Sequence, residues 1–188
     1  MLTDDYLKTA VSVLQSRSIT LAPGLTDSEV EMAEAIHGFR FPPDLRALLQ
    51  HALPVGKNFP NWRLPDSQFI HGMLAWPADG ICFDIEHDAF WMSEWGERPP
   101  GLADAQLIAR RAVRSAPFLA PVYGHRYIPA SPCRAGNPIF SVYQTDIIYY
   151  GLDLMSYFEA EFGIPNPAPL PDAPREIAFW SALERLNG

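Results

Sequence analysis

FLAPVYGHRYIPASPCRAGNPIFSVYQTDIIYYG, residues 118–151, is the stretch on which the fold turns. Aromatic and β-branched residues come in short runs broken by Gly, Pro and Asn-Pro, the pattern of strands joined by tight turns. Val122-Tyr123 predicts one strand, Tyr127-Ile128 a second, and Pro138–Tyr143 a third with Phe140 and Val142 on one face. Gln144-Thr145-Asp146 then turns the chain into a fourth, Ile147–Tyr150.

Upstream, helical spacing dominates. Leu7, Val11 and Leu14 predict an amphipathic helix over 4–16. Thr26 and Glu29 form a capping box, with Leu25 and Val30 at the hydrophobic-staple positions, so a second helix starts there and stops at Gly38. Pro43 suits a first helical position, and Leu45, Leu48 and Leu49 give a third helix a core face that ends by Pro54. Gln68–Leu74 predicts one more short helix.

Trp76-Pro77-Ala78-Asp79-Gly80 carries turn residues, and Ile81, Phe83 and Ile85 then alternate with Cys82, Asp84 and Glu86. Period two predicts a strand, with Phe90-Trp91-Met92 as its hairpin partner. A helix follows over about Leu102–Ala116, with Asp104 in its first turn and Arg110, Arg111 and Arg114 toward its end, as a helix dipole favours. After the strands, Leu154, Tyr157, Phe158 and Phe162 recur at helical spacing up to Gly163. The expected class is α+β: a mostly antiparallel sheet flanked by helices.

Length and composition suit one domain. The chain has 188 residues, 48% of them hydrophobic, enough for a real core. It holds 19 prolines, about double the usual share of roughly 5%. They are spread as punctuation except after Gly163. Residues 1–163 are therefore expected to form the domain, and 164–188 a Pro-rich linker with a terminal helix, Glu176–Leu186, docking through Ile177, Trp180 and Leu183.

The formal net charge of −8 repels phosphate backbones and anionic lipid, which disfavours nucleic-acid and membrane-surface partners. Cys82 and Cys133 lie far apart without metal-ligand spacing. The N-terminal residues show no basic start leading into an apolar run. A cytoplasmic protein without cofactor is expected.

Two groups of residues could carry chemistry. On a strand, Asp84, Glu86 and Asp88 would share a face beside His87, an oxygen-rich set open to a divalent ion. Acidic residues after a strand are equally ordinary turn formers, and no metal is expected. His125, Arg126 and Asp146 offer an imidazole and an orienting carboxylate, with Ser131, Cys133 or Ser141 as nucleophile. No G-x-S-x-G surrounds these serines, and Asp146 is explained by its own turn. The glycines are too dispersed for a phosphate-binding loop.

The phrases PVYGHRYIP (121–129), GNPIFSVYQTDIIYYGLDL (136–154), WPADGICFDIEHDAFW (76–91) and EWGERP (94–99) resemble the SUKH superfamily, which includes the yeast cell-wall regulator and many bacterial proteins. The resemblance covers roughly residues 20–163. It implies an antiparallel sheet packed with helices and, as in many bacterial members, an immunity protein that blocks a toxin without catalytic residues of its own. The Pro-rich tail departs from the pattern.

The expectation is thus a non-enzymatic protein-interaction module whose partner is a protein, a cationic toxin domain. Trp91 and Trp95 flank Glu94 beside Glu97 and the acidic run Asp84, Glu86 and Asp88. Aromatic anchors within an acidic face suit a basic partner, and His125 and Arg126 are placed with them. The alternatives are a small hydrolase using His125 and Asp146, and a regulatory domain that takes a small ligand in an aromatic pocket.

Overall fold

The computed structural model describes residues 2–186; Met1, Asn187 and Gly188 lie outside the described residues. The elements run α1 (Asp4–Ser16), β1 (Thr20–Pro23), α2 (Asp27–His37), α3 (Pro43–His51), β2 (Ala52–Val55) and α4 (Gln68–His87). Then come α5 (Leu102–Ser115), β3 (Leu119–Tyr123), β4 (Arg126–Pro129), β5 (Ile139–Tyr143), β6 (Asp146–Gly151), α6 (Leu154–Phe162) and α7 (Trp180–Arg185). The chain is of the α+β class. Strands β3-β4-β5-β6 form an antiparallel meander, and β1 pairs antiparallel with β2.

Strand alternation divides the interior into two cores. Ala120, Val122, Ile128 and Ile139 face a core built with Leu14 of α1, Leu45 of α3 and Phe158 of α6. Leu119, Tyr127, Phe140, Val142 and Ile147 face the other, with Ile81 and Ile85 of α4, Ala105 and Ala109 of α5, and Trp180 of α7. Both faces of β3, β4 and β5 are therefore largely covered, which is why these strands are rich in apolar residues, whereas β6 at the sheet edge leaves Asp146, Ile148 and Tyr150 exposed.

The capping box at the start of α2 is present. Thr26 N donates to Glu29 Oε2 at 2.8 Å, and Glu29 N donates to Thr26 Oγ1 at 3.2 Å. Arg63 completes it: its Nε donates to Glu29 Oε1 at 2.6 Å, and its Nη2 reaches the carbonyls of Pro23 and Gly24. These bonds, Arg63 first, bring the Glu29 carboxyl down to about 2. A depressed carboxyl stabilises the fold above its unfolded pKa and stops doing so as pH falls toward the folded value. The urea midpoints of wild type and Glu29→Gln should therefore differ at pH 7 and converge between pH 4.5 and 2; a gap of constant size would contradict this.

Two expectations are corrected, and one strand pair joins the expected elements. The segment 76–92 is no hairpin: α4 continues from Gln68 to His87 through Pro77, and Phe90–Met92 is irregular and followed by one 3₁₀ turn at Ser93–Trp95. Ile81, Cys82 and Ile85 are buried and Phe83 is not, which is helical spacing; over five residues a period of two and one of 3.6 are hard to tell apart. Thr20–Pro23 and Ala52–Val55 pair as strands although each contains a proline. The terminal helix begins at Trp180 instead of Glu176, because Phe179 has φ 70° and the Ile177 amide is taken by Ser181 Oγ. Before it the chain runs without regular structure, pinned where Arg175 donates to the Asn137 side chain and to the Ala135 carbonyl.

Candidate functional site

Helix α4 organises the outer surface. At 3.6 residues per turn, positions seven apart share a face. Phe69, Trp76 and Phe83 stand seven apart and are 46%, 43% and 46% exposed, while Ile70, Pro77, Ile81 and Ile85 turn toward the interior and are buried. Three large rings in a row on solvent, spanning about 21 Å at 1.5 Å per residue, are an unusual use of an outer helix face.

The hairpin tips of the sheet extend this face. Trp76 Nε1 donates to the Val142 carbonyl at 2.9 Å, and the Trp76 and Tyr143 ring centroids are 6.0 Å apart. Tyr143 is itself exposed, and the His125 ring lies 6.2 Å from it. Between Phe69, Met73, Trp76, His125 and Tyr127 opens a recess of about 440 Å³, floored at Gly72, where a Cβ would meet nothing within 4 Å. At the far end Phe83 stacks on His87 at 4.0 Å.

Three contacts fix α4 in this position. Pro77 has no N–H, so the Met73 carbonyl four residues before it lacks its helical donor; the buried Tyr127 hydroxyl donates to it at 2.7 Å. At Gly80 the helix passes so close to the β5–β6 turn that a Cβ would lie 2.7 Å from Gln144 Cα. One turn on, the Asp84 carboxylate accepts from Thr145 N at 2.8 Å and Thr145 Oγ1 at 2.5 Å, bracing a turn whose Gln144 has φ 56°.

The residues expected to bind a partner are distributed differently from the sequence reading. Asp84 is buried and committed to the Thr145 turn, so it is not offered to a partner. On a helix, successive residues turn by about 100°, so Asp84, Glu86 and Asp88 do not share a face; Glu86 and Asp88 are exposed at the end of α4. Trp91 and Trp95 are half-buried against each other at 5.1 Å, with Trp91 Nε1 bonded to the Gly96 carbonyl, while Glu94 and Glu97 are exposed. Those two rings close a loop against the second core.

Arg126 is turned inward. Its guanidinium donates to Ser141 Oγ at 3.0 Å, lies 3.9 Å over the Tyr150 ring and faces Glu161 at 4.0 Å, leaving its side chain 14% exposed. His125 stays at the surface of the recess. Burial first, and the neighbouring Arg126 charge second, lower its imidazole pKa from the ordinary histidine value, which favours the neutral form. Asp146 is exposed opposite Tyr143 in the β5–β6 register. Among the described residues no hydrogen bond or ion pair joins it to His125.

Phe69, Trp76, Phe83 and Tyr143 were missed as surface residues. The seven-residue spacing of the first three is present in the sequence, but the Trp-Pro-Ala-Asp-Gly turn signature breaks the segment in two. Among the described residues no group of three or more His, Cys, Asp or Glu side chains is placed to hold a metal ion, and no helix is long and apolar enough to cross a membrane. No protein-family model, no curated protein and no solved structure matches the chain.

Proposed function

We propose that this protein is a non-catalytic binding module for another protein, and that the outer face of α4 with the Tyr143 and His125 hairpin tips is its contact surface. The observation that carries the reading is the exposed row Phe69, Trp76, Phe83 on a helix anchored by Tyr127, Gly80 and Asp84. Aromatic side chains held rigid in advance lose little entropy on binding and are the usual hot spots of interfaces. The recess beside Trp76 is large enough to take a partner's side chain.

Charge supports the choice of partner. Glu86 and Asp88 end the helix and Asp146 stands beside Tyr143, all exposed, in a chain of net charge −8. A basic surface is the complement, attracted at long range and retained by the rings. The resemblance to SUKH proteins suggests the finer reading, an immunity protein that masks a cationic toxin domain.

The test is co-expression with a toxin-domain protein encoded beside this chain, in wild type and in a Phe69→Ala/Phe83→Ala variant whose folding is checked by thermal melting. Wild type should restore growth and co-purify with the toxin; the variant should bind at least tenfold more weakly. Failure of wild type to rescue or bind removes the immunity reading. Equal binding by the folded variant removes α4 as the surface.

A further inference from the structure

The opposite side of α4 borders a second cavity, of about 440 Å³, where α2, α4, α5, β3 and α7 meet. Leu74, Pro77, Val113, Phe118, Leu119 and Trp180 give it an apolar lining. Arg110 and Arg114 bring positive charge to the rest of its wall, with His37 beside them. We propose that this cavity binds a small amphipathic oxyanion, a carboxylate or phosphate carrying a compact aryl or short alkyl body.

The polar atoms around the cavity are mostly engaged. Trp180 Nε1 is bonded to the Pro117 carbonyl at 2.7 Å, His37 Nε2 lies 2.8 Å from the Pro65 carbonyl, and Arg110 Nη1 is paired with Asp79 Oδ1 at 2.8 Å. Arg114 is the exception: among the described residues it has no carboxylate within 4.0 Å. Standing in the last turn of α5, Arg114 offsets the negative end of the helix dipole. That role does not account for an apolar hollow beside it.

Arg110 and Arg114 are one helical turn apart on the same face, about 5–6 Å between Cβ atoms, so both guanidiniums can approach a single oxyanion from one side. Their placement is notable in an acidic chain, because a local basic site inside a negative field selects anions small enough to reach it and repels polyanions. The volume lies within the range of about 300–1,000 Å³ typical of small-molecule sites. An apolar body would cover Leu74, Val113 and Phe118 while the head group meets Arg114.

Calorimetric titration of the full chain tests this with four probes: 4-phenylbutyrate, phenyl phosphate, neutral 4-phenylbutanol and inorganic phosphate. At least one of the two aromatic anions should bind, at least tenfold tighter than either the alcohol or inorganic phosphate, and the better of the two identifies the head group. Arg114→Gln should weaken that binding at least tenfold, whereas Arg111→Gln, on the same helix but outside the cavity, should change it less than twofold. The proposal is overturned if neither aromatic anion binds, if the alcohol or inorganic phosphate binds equally well, or if the two arginine variants behave alike. None of these outcomes depends on a protein partner at the outer face of α4.

Discussion

Trp180→Ala should lower the unfolding free energy by about 3–5 kcal/mol, the cost of truncating a fully buried large aromatic. The ring is 1% exposed and is packed in the second core with Ile177 and Leu183, with Phe179 4.8 Å away. Its Nε1 donates to the Pro117 carbonyl at 2.7 Å, tying the end of the chain to the segment that leads into β3. Cavity and orphaned carbonyl therefore act together. Against a typical stability of about 5–15 kcal/mol, such a loss shifts the urea midpoint far down. Trp180→Phe keeps most of the volume and forfeits the hydrogen bond, so it should cost less. A loss below about 1 kcal/mol for alanine, small for any buried aromatic, would mean that the terminal segment does not dock in solution.

The second large effect is expected at Tyr127, and its size depends on Pro77. A proline inside a helix leaves the carbonyl four residues earlier without a donor. Here that carbonyl belongs to Met73, and the hydroxyl of Tyr127, 1% exposed, supplies the missing bond at 2.7 Å. Burial raises the Tyr127 phenol well above its ordinary range, so it remains a donor across the working pH range. Tyr127→Phe should cost about 1–3 kcal/mol, the penalty for an unsatisfied buried polar group. In a Pro77→Ala background the helix regains its own N–H donor, and the same substitution should cost under about 1 kcal/mol, the scale of an ordinary net hydrogen bond. Equal costs in the two backgrounds, measured as a double-mutant cycle by denaturant unfolding, would refute the pairing.

The same proline explains where reading from the residues went astray. Thr26 and Glu29, Gly38, Gly163 and the runs of 118–151 are local signals, decided within a few residues, and each forms the element expected of it. Trp76–Gly80 is also a local signal, for a turn, yet it was overruled. What overrules it is distant in sequence: Tyr127 satisfies the Met73 carbonyl, and Asp84 and Gly80 hold the helix on the 144–145 turn. Because the segment is helical, Asp84 leaves the acidic set expected to bind a partner, and Phe69, Trp76 and Phe83 come into line on the surface. Arg126 is withdrawn similarly by Glu161 and Tyr150.

Composition and spacing alone determined the α+β class, the strand segments of 118–151 and the acidic character of the chain, because periodicity, turn chemistry and charge are properties of neighbouring residues. Only the tertiary structure decided that α4 runs unbroken through Pro77 and which aromatic rings it presents to solvent. The physical reason is that a single carbonyl without a donor must find one, and the donor it finds lies fifty-four residues further along the chain.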